Sequence, residues 1–186
     1  MPRKTASVRI KHMALVIRRA TAKDIKPITD IYNEAILTTD ATFDVDPKTT
    51  AEQKAWFDEH SKHNPILVAV VDNTVCGWAS LSKWSSRCAY EDTAEISVYV
   101  KQEYRGCGIG RRLMHDILSA GETAGLHTIL SRITSGNIVS IHLHEQLGFH
   151  HIGVMKEVGK KFGRVLDVCM MQKIYRPVGP NGKEED

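Results

Sequence analysis

The stretch "EYRGCGIGRR" at 103–112 places Gly106, Gly108 and Gly110 at alternate positions, after the apolar run "ISVYV" and before the helical pattern "RRLMHDILSAG". Each glycine raises the entropy cost of folding, so three together point to backbone that something must approach closely. A strand that passes through a glycine turn into a helix aims several N–H groups at one spot beside the positive end of the helix dipole. Such a spot suits a phosphate. Two familiar phosphate loops fit poorly: G-x-x-x-x-G-K-[ST] is absent, and Gly106-x-Gly108-x-Gly110 is one residue short of G-x-G-x-x-G. Kinase and dinucleotide readings lose ground accordingly. The segment "HLHE" fails as a zinc site, because His142 and His144 stand two apart on a helix and point to different sides. No metal is expected.

The elements around the loop follow from local patterns. "ALVIRRA" reads as a first strand and "TAKDIKPITDIYNEAI" as a helix, with Thr21 as N-cap and Asp24 three residues on, a variant of the capping box. Thr49 or Thr50 caps a second helix through "AEQKAWFDEHSKH". The strands "PILVAVV" and "TVCGWASLS" are joined at Asp72 and Asn73, a hairpin signal. "TAEISVYV" alternates Ala94, Ile96, Val98 and Val100 against Glu95, Ser97 and Tyr99, as a strand with two different faces should. After the glycine loop come a long helix to about Ala124, a strand "HTILSRI", a helix "IVSIHLHEQLG" closed by Gly148, and the strands "HHIGVMKEV" and "RVLDVCMMQKI". This order predicts an α/β fold in a single domain over 14–175. Residues 1–13 read as a flexible extension and 176–186 as a disordered tail.

With 186 residues, 42% of them hydrophobic and 25% charged, the chain suits one domain with a sizeable core. The net charge of +3 is mild and the Lys and Arg residues are scattered, which argues against nucleic acid as a partner. Cys76, Cys88, Cys107 and Cys169 show no C-x-x-C spacing, and no secretory signal or 18-residue apolar run accompanies them. A cytoplasmic location with free thiols and no membrane partner is the expectation.

Arg105-x-x-Gly108-x-Gly110, lying after a strand and before a helix, resembles the R/Q-x-x-G-x-G/A signature of the GNAT acetyltransferase superfamily. "NIVSIHLHEQLGF", with Asn137, Ser140, Leu147, Gly148 and Phe149, resembles a second block of the same superfamily. Within it, "IYNEAILTTDATFD", "CAYEDTAEISVYV", "LHEQLGF" and "GKKFGRVLD" resemble the phosphinothricin and methionine sulfoximine N-acetyltransferases, over about Ile17 to Lys173. Val165 departs from that group, which often carries Trp there. The resemblance implies a mixed, mostly antiparallel twisted sheet flanked by helices, the GNAT fold, and acetyl-CoA as cosubstrate. It also implies a small amino-acid analogue as acceptor, and commonly a homodimer.

The resemblance further implies roles for named residues. Arg105, Gly106, Cys107, Gly108, Ile109, Gly110 and Arg111 would wrap the pyrophosphate, with Asn137 and Ser140 nearby and Val98, Tyr99 and Val100 beside the pantetheine arm. A splayed strand there could turn a backbone N–H toward the thioester oxygen, an oxyanion donor worth about 3 kcal/mol. Attack requires a neutral amine, and Glu95 is the candidate base. His144 stands where many superfamily members carry a tyrosine acid. It is either the acid that protonates the leaving thiolate or a residue of the pocket or helix packing. Ser85, Ser86 and Arg87 would bind the acceptor with Glu95, Ile96 and Ser97, and Phe43, Tyr90 and Lys161 are weaker candidates. A polyamine or protein N-terminus as acceptor, or a catalytically silent acetyl-CoA sensor, are the rival readings.

Overall fold

The computed structural model describes residues 14–175. The expected extension and tail lie outside the described residues. Seven strands form one sheet: β1 (Leu15–Arg19), β2 (Ile66–Val71), β3 (Thr74–Lys83), β4 (Thr93–Val100), β5 (Thr128–Thr134), β6 (His150–Lys161) and β7 (Arg164–Ile174). Their spatial order is β1-β2-β3-β4-β5-β7-β6. Every pairing is antiparallel except β4 with β5. Among the described residues four α-helices accompany them: α1 (Ile25–Thr38), α2 (Thr50–Asp58), α3 (Ile109–Thr123) and α4 (Ile138–Gln146).

Local chemistry explains the boundaries. Thr21 N–H donates to Asp24 Oδ2 at 2.7 Å, and the buried Asp24 carboxylate also takes both arms of Arg18 at 2.7 and 2.8 Å. This pins the start of α1 to β1, and the Arg18 guanidinium holds the Asp24 carboxyl below the usual carboxylate range. Thr49 caps α2 reciprocally with Glu52. That helix ends at Asp58, earlier than its polar pattern suggests, and His60 Nδ1 then folds back onto the Trp56 carbonyl at 2.7 Å. Asp72 and Asn73 adopt φ of 46° and 61°, both left-handed, as a two-residue hairpin requires.

The alternation in β2 to β4 separates two cores. One face, with Leu67, Ala69, Leu81, Ala94 and Ile96, packs on Leu113, Met114 and Ile117 of α3. The other, with Val68, Val75 and Trp78, packs on Ile28 and Ile31 of α1. A line of edge-on aromatic contacts crosses the second face: Tyr32 lies 5.9 Å from Trp78 and 5.1 Å from Tyr99, and Trp56 lies 5.4 Å from Trp78. Through this division β4 presents its even residues to α3 and its odd residues to α1 and α2.

Candidate active site

Strand β4 is unequally held along its two edges. On the β3 side it pairs from Ala94 to Val100, opposite Lys83 to Gly77. On the β5 side it pairs only at Thr93, Ala94 and Glu95, opposite Thr128, Ile129 and Leu130. Beyond that point the two strands part and leave a fork. Lys101 N–H donates to the Cys76 carbonyl, and the Thr93 carbonyl accepts from Trp84 N–H, so odd-numbered backbone groups of β4 face β3. By the alternation of an antiparallel ladder, the N–H and C=O groups of Ile96, Val98 and Val100 therefore face the fork. The splay inferred from resemblance is thus present in the strand pairing.

The glycine loop closes the mouth of the fork. Gly106 and Gly108 have φ of 76° and 82°, and Gly108 is the N-cap of α3. A Cβ at either would meet nothing within 4 Å, so backbone conformation and open approach, not internal crowding, call for glycine there. Gly110 has ordinary φ, and a Cβ there would only touch Val100 and Leu143 at 3.8 and 4.0 Å. No side chain caps α3 and its first turn carries no acid. The first backbone bond of the helix runs from Arg112 N–H to the Gly108 carbonyl, 3.1 Å. The N–H groups of Ile109, Gly110 and Arg111 are thereby left for an anion, which is the fit a pyrophosphate requires.

Other residues of the loop have additional duties. Arg105 Nε donates to the Val100 carbonyl at 2.8 Å and its Nη2 lies 3.5 Å from Glu34, so the arginine splints the loop to the end of β4 and to α1. The half-buried Cys107 places Sγ 3.6 Å from the Arg105 carbonyl. Asn137 Oδ1 caps α4 by accepting from Ser140 N–H at 3.1 Å.

His144 is buried, and its Nδ1 lies 2.8 Å from the Ser140 carbonyl with the ring edge-on to Phe149 at 4.8 Å. A carbonyl can only accept, so Nδ1 carries the proton and neutral His144 has its lone pair on Nε2. Burial pushes the imidazole below its ordinary range. A neutral ring of that tautomer has no further proton to donate, which favours the packing role over the acid role.

On the odd face, Glu95 stands at the base of the fork. Both of its carboxylate oxygens are taken by Arg132 of β5: Nε to Oε1 and Nη2 to Oε2, each 2.6 Å. The Arg132 guanidinium also lies over the Trp84 ring, 5.7 Å from its centroid. Neither Arg132 nor Trp84 stands out in the sequence, because the first looks like an ordinary polar position on a half-buried strand and the second like a strand-end aromatic. Ser97 and Tyr99 line a cavity of about 340 Å³ with Tyr32, Asp44, Trp56 and Trp78. Desolvation pushes the Tyr32 phenol up to about 12, which keeps it a neutral donor to Asp44 Oδ2 at 2.8 Å. Ile96 does not border this cavity, since its side chain is buried in the α3 core.

The remaining acceptor candidates divide into two places. Ser86 and Arg87 are exposed and Ser85 half-buried on the β3–β4 loop, where Arg87 N–H donates to Ser85 Oγ at 3.2 Å. Tyr90 is exposed in the short 3-10 turn Cys88–Tyr90 of that loop. Phe43 and Lys161 meet instead where the α1–α2 connection lies under the β6–β7 hairpin. Phe43 covers Gly159 so closely that a Cβ there would fall 2.3 Å from its ring, and buried Lys161 donates to the Thr42 carbonyl at 2.7 Å. Val165 is 57% exposed beside that hairpin tip. A shallow depression of about 500 Å³ beside β1 and α3 holds none of the candidate residues.

A fork between two parallel strands, with an uncapped glycine-started helix at its mouth, leaves backbone N–H groups open to an extended phosphorylated ligand. Residues 28–149 match the model of the Acetyltransferase (GNAT) family. The chain belongs to that family, as an acetyl-CoA-dependent N-acetyltransferase. It is 40% identical to the L-methionine sulfoximine/L-methionine sulfone acetyltransferase of Pseudomonas aeruginosa, over 86% of this chain and 94% of that one. It is 34% identical to the phosphinothricin N-acetyltransferase of Streptomyces coelicolor, over 84% of this chain and 94% of that one. The solved GNAT superfamily phosphinothricin acetyltransferase of Sinorhizobium meliloti in complex with AcCoA superposes with a TM-score of 0.85 at 34% identity, covering 94% of this chain and 95% of its own.

Proposed function

We propose that the enzyme acetylates the α-amino group of a small amino-acid analogue of the methionine sulfoximine, methionine sulfone or phosphinothricin type. The observation that carries the reading is the carboxylate of Glu95 at the base of the β4–β5 fork. Acetyl-CoA supplies an activated acetyl group as a thioester. The free N–H groups of Ile109, Gly110 and Arg111 hold its pyrophosphate, and Val98 to Val100 lie along its arm. Glu95 takes the proton that the acceptor ammonium must lose, directly or through one water, since each of its oxygens retains a lone pair beyond the one given to Arg132. The N–H of Val98, which faces the fork, meets the negative charge that develops on the thioester oxygen. His144 stays out of proton transfer and ties α4 to Phe149.

No helix among the described residues is long and apolar enough to cross a membrane, and all four cysteines are free. The free thiols fit the cytoplasmic location we assign. Val154, Val158, Phe162 and Val165 on the β6–β7 hairpin are each about half exposed, an apolar surface that supports a homodimer.

The test is thiol release from acetyl-CoA against a panel of phosphinothricin, methionine sulfoximine, methionine sulfone, spermidine and a short peptide, with Glu95→Gln in parallel. Turnover of the amino-acid analogues, lost in the variant, is the expected result. Preference for spermidine or the peptide would overturn the acceptor assignment, and silence with acetyl-CoA still bound would favour a sensor.

A further inference from the structure

The Glu95–Arg132 pair has a geometry beyond what a base needs. The two residues sit on the same face of the sheet, because Glu95 is in register with Leu130, the last bridge of the fork, and Arg132 lies two residues further along β5. The two bonds to Glu95 use two of the five guanidinium N–H groups and leave three. The side chain is 53% exposed, so those donors are open to a ligand, while Glu95 is only 20% exposed. The Trp84 ring lies against the guanidinium, 5.7 Å from centroid to Cζ. Arg87, by contrast, is exposed on a loop, and no side-chain hydrogen bond or ion pair holds its guanidinium among the described residues.

We propose that Arg132 is the residue that selects free α-amino acids, its outer N–H groups gripping the acceptor's α-carboxylate while Glu95 beside it receives the α-ammonium. This rests on the acceptor class proposed above. The pair presents a negative and a positive group side by side at the fork, and a free α-amino acid carries the complementary charges on one carbon. A polyamine has no carboxylate and a peptide N-terminus has an amide in its place. Either would desolvate Arg132 without offering it an anion, and a site built around a charge discriminates strongly against ligands lacking the partner. Lysine can replace the function only in part, since its ammonium keeps the charge but cannot bridge Glu95 and a second carboxylate through two planar edges.

The experiment compares methionine sulfoximine with its α-carboxamide as acceptors for wild type, Arg132→Gln and Arg132→Lys. Loss of Arg132 also frees Glu95, which lowers kcat for both acceptors, but the ratio of their kcat/KM values cancels that common factor. Wild type is expected to prefer the acid by roughly 30-fold, the usual worth of a charged hydrogen-bonded contact, through KM. Arg132→Gln should bring the ratio close to one, and Arg132→Lys should restore part of it. An unchanged ratio in Arg132→Gln, with both acceptors slowed alike, would overturn the proposal and leave Arg132 as a positioning residue for Glu95. Equal use of acid and amide by wild type would overturn it as well while leaving the acceptor class intact. Wild type inactive on every amino acid would instead sink the acceptor class itself. Acetyl-CoA affinity, measured by calorimetry on each variant, verifies that the fold and the cosubstrate site survive.

Discussion

On the α3 side of β4 the groups that the proposed function uses are backbone: three helix N–H groups behind Gly108 and the fork-facing amides of Val98 and Val100. On the α1 side they are side chains: Glu95, Arg132, Ser97 and the aromatic cavity of Tyr32, Trp56, Trp78 and Tyr99. The first half needs only that the chain turn in a particular way, so it accepts any residue compatible with the turn and is indifferent to most of its own side chains. The second half needs particular functional groups delivered from distant parts of the chain. One strand serves both because its two faces alternate, and the halves should therefore fail separately.

The largest expected separation comes from Glu95→Gln. Removing the proposed base while keeping a side chain of the same shape should lower kcat by about a thousandfold, within the usual worth of general base catalysis. Acetyl-CoA binding, measured by calorimetry, should change less than twofold. A parallel loss of acetyl-CoA affinity would mean that the two faces are not independent. The converse variant is Gly108→Val, which forces a β-branched residue to φ of 82° at a cost of about 2 kcal/mol. Acetyl-CoA affinity should fall by about thirtyfold while KM for the acceptor stays unchanged.

The two halves also differ in what the sequence discloses. Gly106, Gly108 and the Asp72-Asn73 turn are legible because a demand for positive φ is local and leaves its mark on the residues that meet it. The two faces of β4 are legible for the same reason, since alternation is a short-range pattern. Arg132 is not. It meets Glu95 from 37 residues away, and its partner is set by the parallel register of β4 and β5, which no local pattern records. The end of α2 is not legible for a related reason: His60 and His63 continue the polar pattern, but His60 folds back onto Trp56 and His63 Nδ1 reaches the Ala124 carbonyl at 2.9 Å. The helix that carries His144 is legible in the sequence, and only the hydrogen bond to Ser140 reveals which nitrogen holds the proton.

Two histidines, buried His144 on the α3 side and half-buried His60 on the α1 side, extend the comparison to stability. Burial lowers the pKa of both. The unfolded chain therefore binds these protons at about pH 6.5, before the folded chain does. Stability should be constant above that value and fall as pH drops below it, with a slope of up to about 1.4 kcal/mol per pH unit for each ring. Urea denaturation at a series of pH values reads the slope, and His60→Phe and His144→Phe should each remove one share. A slope untouched by either variant would place the titrating groups elsewhere.

The smallest expected effect bears on Asn137, which the family resemblance assigns to the cosubstrate and the structure occupies as the cap of α4. The two roles use different atoms. Capping takes Oδ1, and only Nδ2 remains to meet an anionic ligand. Asn137→Ala removes both and should cost about 1 kcal/mol of stability, the usual value of an N-cap. Asn137→Asp retains the capping oxygen and places a negative charge near the helix N-terminus, so stability should hold or rise slightly. If Nδ2 also contacts the cosubstrate, the aspartate variant should bind acetyl-CoA several-fold more weakly despite its intact fold, because a donor has become an acceptor facing phosphate. If affinity is unchanged, Asn137 belongs to the scaffold, and the backbone half of the site extends no further than the glycine loop and the fork.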